Sequence, residues 1–177
     1  MADRLTRGFI AGISGGIAAN AFNLFLGAAG LSTLRFIDWT GIVMYDHTPP
    51  FTLGETLFAF IGQLIFTGGL GVMFIFLIPS INSRNLLFKG WLWGVSIWFI
   101  IDGITTLFPV EGTSPTPLIT SIANYMTASL YGLVLAPILA RFEHRSQASF
   151  SLVPAPAAKQ LDDTKDLKKE ENSSQEK

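Results

Sequence analysis

The sequence predicts an all-α protein: a four-helix transmembrane bundle with its N- and C-termini cytoplasmic and a disordered C-terminal tail. Three observations predict it. Four apolar runs, at residues 8–31, 57–78, 88–108 and 118–140, are each long enough to cross a bilayer, which takes ~20 helical residues. The 177-residue chain is 49% hydrophobic and only 14% charged, too apolar for a soluble domain of this size. Its Lys and Arg residues gather on alternate connecting segments, as the positive-inside rule requires.

The first run follows Arg4 and Arg7 and ends near Gly27-Ala28-Ala29, which resembles a secretory signal. It is longer than a signal core, so an uncleaved first helix is expected. Pro79 and Pro109 close the second and third runs, where a helix does not readily continue. The third run contains Asp102, and Lys89 stands at its edge. Thr116-Pro117 opens the fourth, with Thr as N-cap and Pro at the first helical position. Pro137 lies in its last turns and is expected to kink it.

The membrane domain is thus expected over residues 1–145. Residues 146–177 begin as a Ser-, Ala- and Pro-rich linker, SFSLVPAPAA, and end in mixed charge. Such a segment buries too little apolar surface to offset its ordering entropy and reads as a disordered cytoplasmic tail. A weak helix over residues 159–171 is open to it through Asp-to-Lys pairs.

Orientation follows from the flanking cations. Arg4, Arg7, Arg84, Lys89, Arg141 and Arg145 lie on one side, and only Arg35 on the other, which places residues 32–56 and 109–117 outside. Trp91 and Trp93 are expected in an inner aromatic belt, Trp39 and Tyr45 in an outer one.

Between helices in lipid, close packing of small residues replaces the hydrophobic drive. Run one carries Gly8, Gly12, Gly16 and Asn20 at a stride of four, beside Gly15, Ala19, Asn23 and Gly27. Run two has Ala59, Gln63, Thr67 and Gly71, with Gly68 and Gly69 alongside; run three has Gly90 and Gly94; run four has Asn124, Ala128, Gly132 and Ala136. These faces are expected inward. Phe58, Phe66, Phe74, Phe76, Phe99 and Ile100 are expected toward lipid.

Asp102 is the residue that needs explaining, because an unpaired polar group in hydrocarbon costs several kcal/mol. At a rise of ~1.5 Å per residue, Asp102, Asn23, Gln63 and Asn124 all fall about 9–12 Å below the outer boundary. Asn20 lies one turn deeper and Tyr131 deeper still. The expectation is one intramembrane polar layer in which three amides meet a carboxyl. Its plain role is interhelical hydrogen bonding that fixes register. Its functional role would be a binding site or path for a small solute, proton or ion.

The long connection at residues 32–55 could form a short helix in the headgroup plane. Asp38, Asp46, His47 and Glu55 offer metal-ligand residue types there, at a spacing that matches no recognised site; a solvated loop is the simpler expectation. His144, between Glu143 and Arg145, reads as interfacial charge. The chain has no Cys, which excludes disulfides and thiolate sites. No phosphate-binding loop, HExxH or GxSxG is present. A net charge of −1 with no basic stripe gives no reason to expect nucleic acid.

The segments RGFIAGISGGIAAN (7–20), FIDW (36–39), GETLFAFIGQLIF (54–66), KGWLWG (89–94) and ASLYGLVLAPIL (128–139) resemble a group of short four-helix membrane proteins of Gram-positive and related anaerobic bacteria. The resemblance covers residues 1 to about 142. It implies architecture and a multi-pass place in a bacterial cytoplasmic membrane, and carries no catalytic pattern.

Three functions remain in view. The first is a non-enzymatic bundle that self-associates or holds another membrane protein. The second is a small-solute, proton or ion binder or conduit at Asp102, Asn23, Gln63, Asn124 and Asn20. The third is a membrane enzyme using Asp46 and His47. None calls for a cofactor or a resident metal, and the partners implied are the lipid bilayer and a second copy or another membrane protein.

Overall fold

The computed structural model describes residues 3–77, 85–108, 111–113 and 115–151. Five helices are seen among them: α1 (Arg4–Ala28), α2 (Phe36–Tyr45), α3 (Leu53–Leu77), α4 (Leu86–Leu107) and α5 (Leu118–Ser151). Four are long and apolar enough to cross a membrane, over Arg4–Ala28, Leu53–Leu77, Leu86–Leu107 and Leu118–Phe142. The chain divides into two units, Met1–Phe142 and Glu143–Lys177. The helices pack on one another within the first. In the second, the described residues are the helical ones up to Ser151, six positions into the expected tail; the remainder of the tail, and the helix expected at 159–171, lie outside the described residues.

Local chemistry sets the helix ends. Asp3 caps α1, its carboxylate accepting from the Thr6 backbone N–H at 2.8 Å, so the helix begins before the apolar run does. At the other end Gly30 adopts φ 74°. Its N–H reaches the Gly27 carbonyl at 3.0 Å and that of Leu31 the Leu26 carbonyl at 2.9 Å, a Schellman termination. A side chain at position 30 would be strained there. Thr52 and Glu55 form a reciprocal capping box on α3: the Thr52 N–H donates to Glu55 Oε2 at 2.7 Å and the Glu55 N–H to Thr52 Oγ1 at 3.3 Å. Asn85 caps α4 through the Phe88 N–H at 3.0 Å. Thr116 does not cap α5 as expected; its hydroxyl donates back to the Thr113 carbonyl at 3.1 Å. Pro137 sits within α5, which runs on past it.

The small-residue stripes are buried, and they pair. Added Cβ atoms on Gly8 and Gly12 would run into the α3 backbone at Thr67, Gly68 and Gly71; one on Gly71 would meet Gly8 and Gly12 in turn. Likewise Gly90 and Gly94 of α4 lie against the backbone of Ala128 and Gly132 on α5. So α1 joins α3, and α4 joins α5, at near backbone contact. Tyr131 links the pairs: its hydroxyl donates to the Thr67 carbonyl at 2.8 Å, and its ring covers Gly15.

Buried apolar side chains continue the join, with Phe74, Ile75, Leu135 and Leu139 essentially inaccessible. Phe74 therefore departs from the lipid-facing expectation. It is 1% exposed and lies against Trp93, ring centroids 6.0 Å apart. The other five predicted outward residues, Phe58, Phe66, Phe76, Phe99 and Ile100, are exposed.

Trp91 Nε1 donates to Ser129 Oγ on α5 at 3.2 Å, and Trp93 packs on Phe74. Both serve contacts between helices.

The helix in the long connection is α2. Its start is held by Arg35 and Asp38, with Nε to Oδ2 at 2.6 Å and a second guanidinium nitrogen to Oδ1 at 2.7 Å. Asp46 closes it in the left-handed region at φ 57°. Beyond it the Tyr45 hydroxyl donates to the Glu55 carbonyl at 3.0 Å, and the His47 and Phe51 rings pack 5.1 Å apart.

His47 gives a pH prediction. Its Nδ1 lies 3.0 Å from the Thr48 carbonyl and its Nε2 3.4 Å from Glu55 Oε1. The Thr48 carbonyl, and then the Glu55 carboxylate, favour the protonated ring and raise its pKa above the ordinary histidine value. The stabilisation this gives is complete below the unfolded value and is lost as pH rises through the raised one. NMR titration in a His144→Gln background should place the His47 midpoint above ~6.5, and Glu55→Gln should lower it. A midpoint at or below that value contradicts the pairing.

Candidate binding cavity

A cavity of about 130 Å³ lies among all five helices. α1 contributes Gly16 and Ala19, small enough to leave the space; α2 contributes Phe36, Trp39 and Thr40. From α3 come Gln63, Phe66, Thr67 and Leu70; from α4 come Gly94, Ile97, Trp98, Ile101, Asp102 and Thr105. Asn124, Ala128 and Tyr131 of α5 complete the wall with Thr113 and Thr116.

The structure brings together three of the five expected polar residues: Asp102, Gln63 and Asn124 line this one space from three different helices. It does not join them by hydrogen bonds. The Asp102 carboxylate has no side-chain partner among the described residues, although its backbone carbonyl accepts from Thr105 at 3.0 Å and Thr106 at 2.9 Å. Gln63 is 7% exposed, and its buried Oε1 also lacks a partner there. An unmatched buried carbonyl of this kind costs about 1–3 kcal/mol, and native proteins keep few of them.

The two remaining amides sit elsewhere, for a local reason in each case. Asn20 donates to the Gly16 carbonyl of its own helix at 2.9 Å. Asn23, 1% exposed, turns to α2: its Oδ1 accepts from the Phe36 N–H at 2.8 Å, one of the first donors of that helix, which has no intrahelical acceptor. Its Nδ2 reaches Thr127 Oγ1 at 3.4 Å and Asn124 Oδ1 at 3.5 Å. In place of the expected four-residue layer there are two features. One is a satisfied cluster of Asn23, Asn124 and Thr127 that docks α2. The other is the cavity wall with Asp102 and Gln63. Nearby backbone groups captured the amides before a carboxylate on another helix could.

Trp39, Trp98 and Tyr131 belong to the lining and are not among the site residues expected from sequence. Trp98 is four residues before Asp102, one turn up the same face, so helical spacing alone marks it. The place of Trp39 depends on how α2 docks, which no local pattern reveals.

The metal-ligand types in the connection are otherwise engaged. Asp38 is held by Arg35, Asp46 ends α2, and His47 meets Glu55. Among the described residues no three His, Cys, Asp or Glu side chains come together as an ion site.

Known proteins add no likeness. No family model matches the chain, and neither a curated protein nor a solved structure is similar to it.

Proposed function

We propose that this is a multi-pass protein of a bacterial cytoplasmic membrane, both termini on the cytoplasmic side, that binds a small solute in the cavity at Asp102. The carrying observation is that Asp102 and Gln63 line one cavity, the half-buried Asp102 carboxylate with no side-chain partner and the buried Gln63 Oε1 unmatched among the described residues. A polar group left unmatched inside an apolar bundle is costly, and ligand sites are where such groups are retained. The alternating Lys and Arg support the orientation, and the resemblance to bacterial four-helix proteins supports the location. Self-association is the second reading; Gly8, Gly12 and Gly71, and Gly90, Gly94 and Gly132, are engaged within the chain, α1 on α3 and α4 on α5, and so are not free to meet a second copy.

The test is a thermal-shift screen of the purified full chain in detergent, against solutes of graded charge and size. Thr105→Trp is the control. The Thr105 hydroxyl bonds only the carbonyls of its own helix at Ile101 and Asp102, so a larger side chain fills the space without breaking an interhelical bond. At least one solute class should raise the midpoint of the native chain and leave that of Thr105→Trp unmoved. A screen with no shift, or with equal shifts in both proteins, sinks the reading.

A further inference from the structure

The make-up of the wall says what kind of solute fits, given the cavity reading on which this inference rests. We propose that the cavity takes a small organic ammonium ion, its charge against Asp102 and its carbon body against Trp39 and Trp98.

Charge comes first. Among the described residues the lining holds one carboxylate and no Lys, Arg or His. The Tyr131 hydroxyl is already committed to the Thr67 carbonyl at 2.8 Å. An anion would face Asp102 with no compensating cation. A cation supplies the missing partner in a low-dielectric setting, where a charge-assisted bond is strong. Gln63 shares the wall, and its Oε1, buried and without a partner among the described residues, becomes a second acceptor if the side chain turns toward the ammonium.

Shape and surface come second. Indole rings from two elements, α2 and α4, share the wall, and indole is the best aromatic face for a cation. Leu34, Phe66, Leu70, Ile97 and Ile101 add hydrocarbon to the wall. Size comes third. An apolar cavity of about 150 Å³ holds benzene; the 130 Å³ here suits a ligand of that order.

The experiment compares benzylammonium, benzyl alcohol and benzoate, one ring carrying three charges, by calorimetric titration of the full chain in detergent. Uptake by Thr105→Trp is subtracted. Benzylammonium should bind at least about tenfold more tightly than benzyl alcohol, the scale of one charge-assisted bond, and benzoate should not bind. In Asp102→Asn the ratio between the first two should fall to about one. Should that variant fail to fold, the charge series on the unmodified protein decides alone. Equal or tighter binding of the alcohol or the anion overturns the ammonium inference and leaves the cavity reading standing. No benzylammonium binding overturns it too, and the solute screen then judges the cavity reading separately.

Discussion

Gly132→Leu should leave little folded protein. A Cβ at position 132 would stand 2.6 Å from the Gly90 carbonyl carbon and 3.1 Å from the Trp91 nitrogen, with the Gly90 oxygen nearer still. These are backbone atoms of the facing helix, and no rotamer change relieves them. Moving α4 outward would also separate Gly94 from Ala128, the next crossing along the same pair. Overpacking commonly costs about 1–3 kcal/mol where side chains can yield. Here the neighbour is backbone, so the loss should exceed that range and remove much of a marginal stability. Gly69→Leu is the matched control, since nothing lies within 4 Å of its added Cβ and leucine favours helix over glycine. Size-exclusion profiles and thermal midpoints in detergent read both. A Gly132→Leu protein that runs as a single species and melts with the native chain would show that α4 and α5 do not meet as described.

The same crossings show what is legible in the sequence. A stride of four small residues marks a buried helical face, and Gly8, Gly12, Gly16, Gly90, Gly94 and Gly132 are buried as that stride predicts. Which stripe meets which is a property of the folded chain, so the α1–α3 and α4–α5 pairing has no local signal. The first two predicted runs start too late for a definite reason. Hydropathy falls at Arg4, Arg7 and Glu55, whereas the helices begin at the caps formed by Asp3 and by Thr52 with Glu55. The capping box, Thr52-Leu53-Gly54-Glu55, is a local signal that hydropathy passes over. Phe74 resembles the other run-two phenylalanines in composition and differs only in azimuth, three residues beyond Gly71 on the inward side.

The candidate site is half legible. Depth along a helix follows from residue count, which puts Asp102, Gln63 and Asn124 at one expected level; the three line one cavity. Depth says nothing of what else reaches that level. The start of α2 does, and its N–H groups compete for any amide nearby. This is why Asn23 turns to Phe36, while the Asp102 carboxylate is left without a side-chain partner among the described residues.

Asn23→Leu should therefore release α2 before it loosens the bundle. The native amide is 1% exposed and serves three groups on two other segments: the Phe36 N–H at 2.8 Å, Thr127 Oγ1 at 3.4 Å and Asn124 Oδ1 at 3.5 Å. Leucine has similar bulk but no polar atom. The Phe36 N–H would then lack its acceptor at a helix end that has no intrahelical substitute, at a cost of about 1–3 kcal/mol. Thr127 would lose less, because its hydroxyl donates to the Ala123 carbonyl at 2.8 Å whatever happens at Asn23. The Arg35–Asp38 pair caps α2 from within and should keep its first turn intact, so the change is undocking rather than unwinding. Amide exchange should rise at Phe36 and along α2 while the α1–α3 glycine crossing stays protected. Because α2 brings Trp39 and Thr40 to the cavity wall, solute binding should weaken together with that protection. Asn23→Asp keeps the oxygen that accepts from Phe36 and should retain α2 better than leucine does. If both variants exchange as slowly at Phe36 as the native chain, Asn23 is not what holds α2 in place.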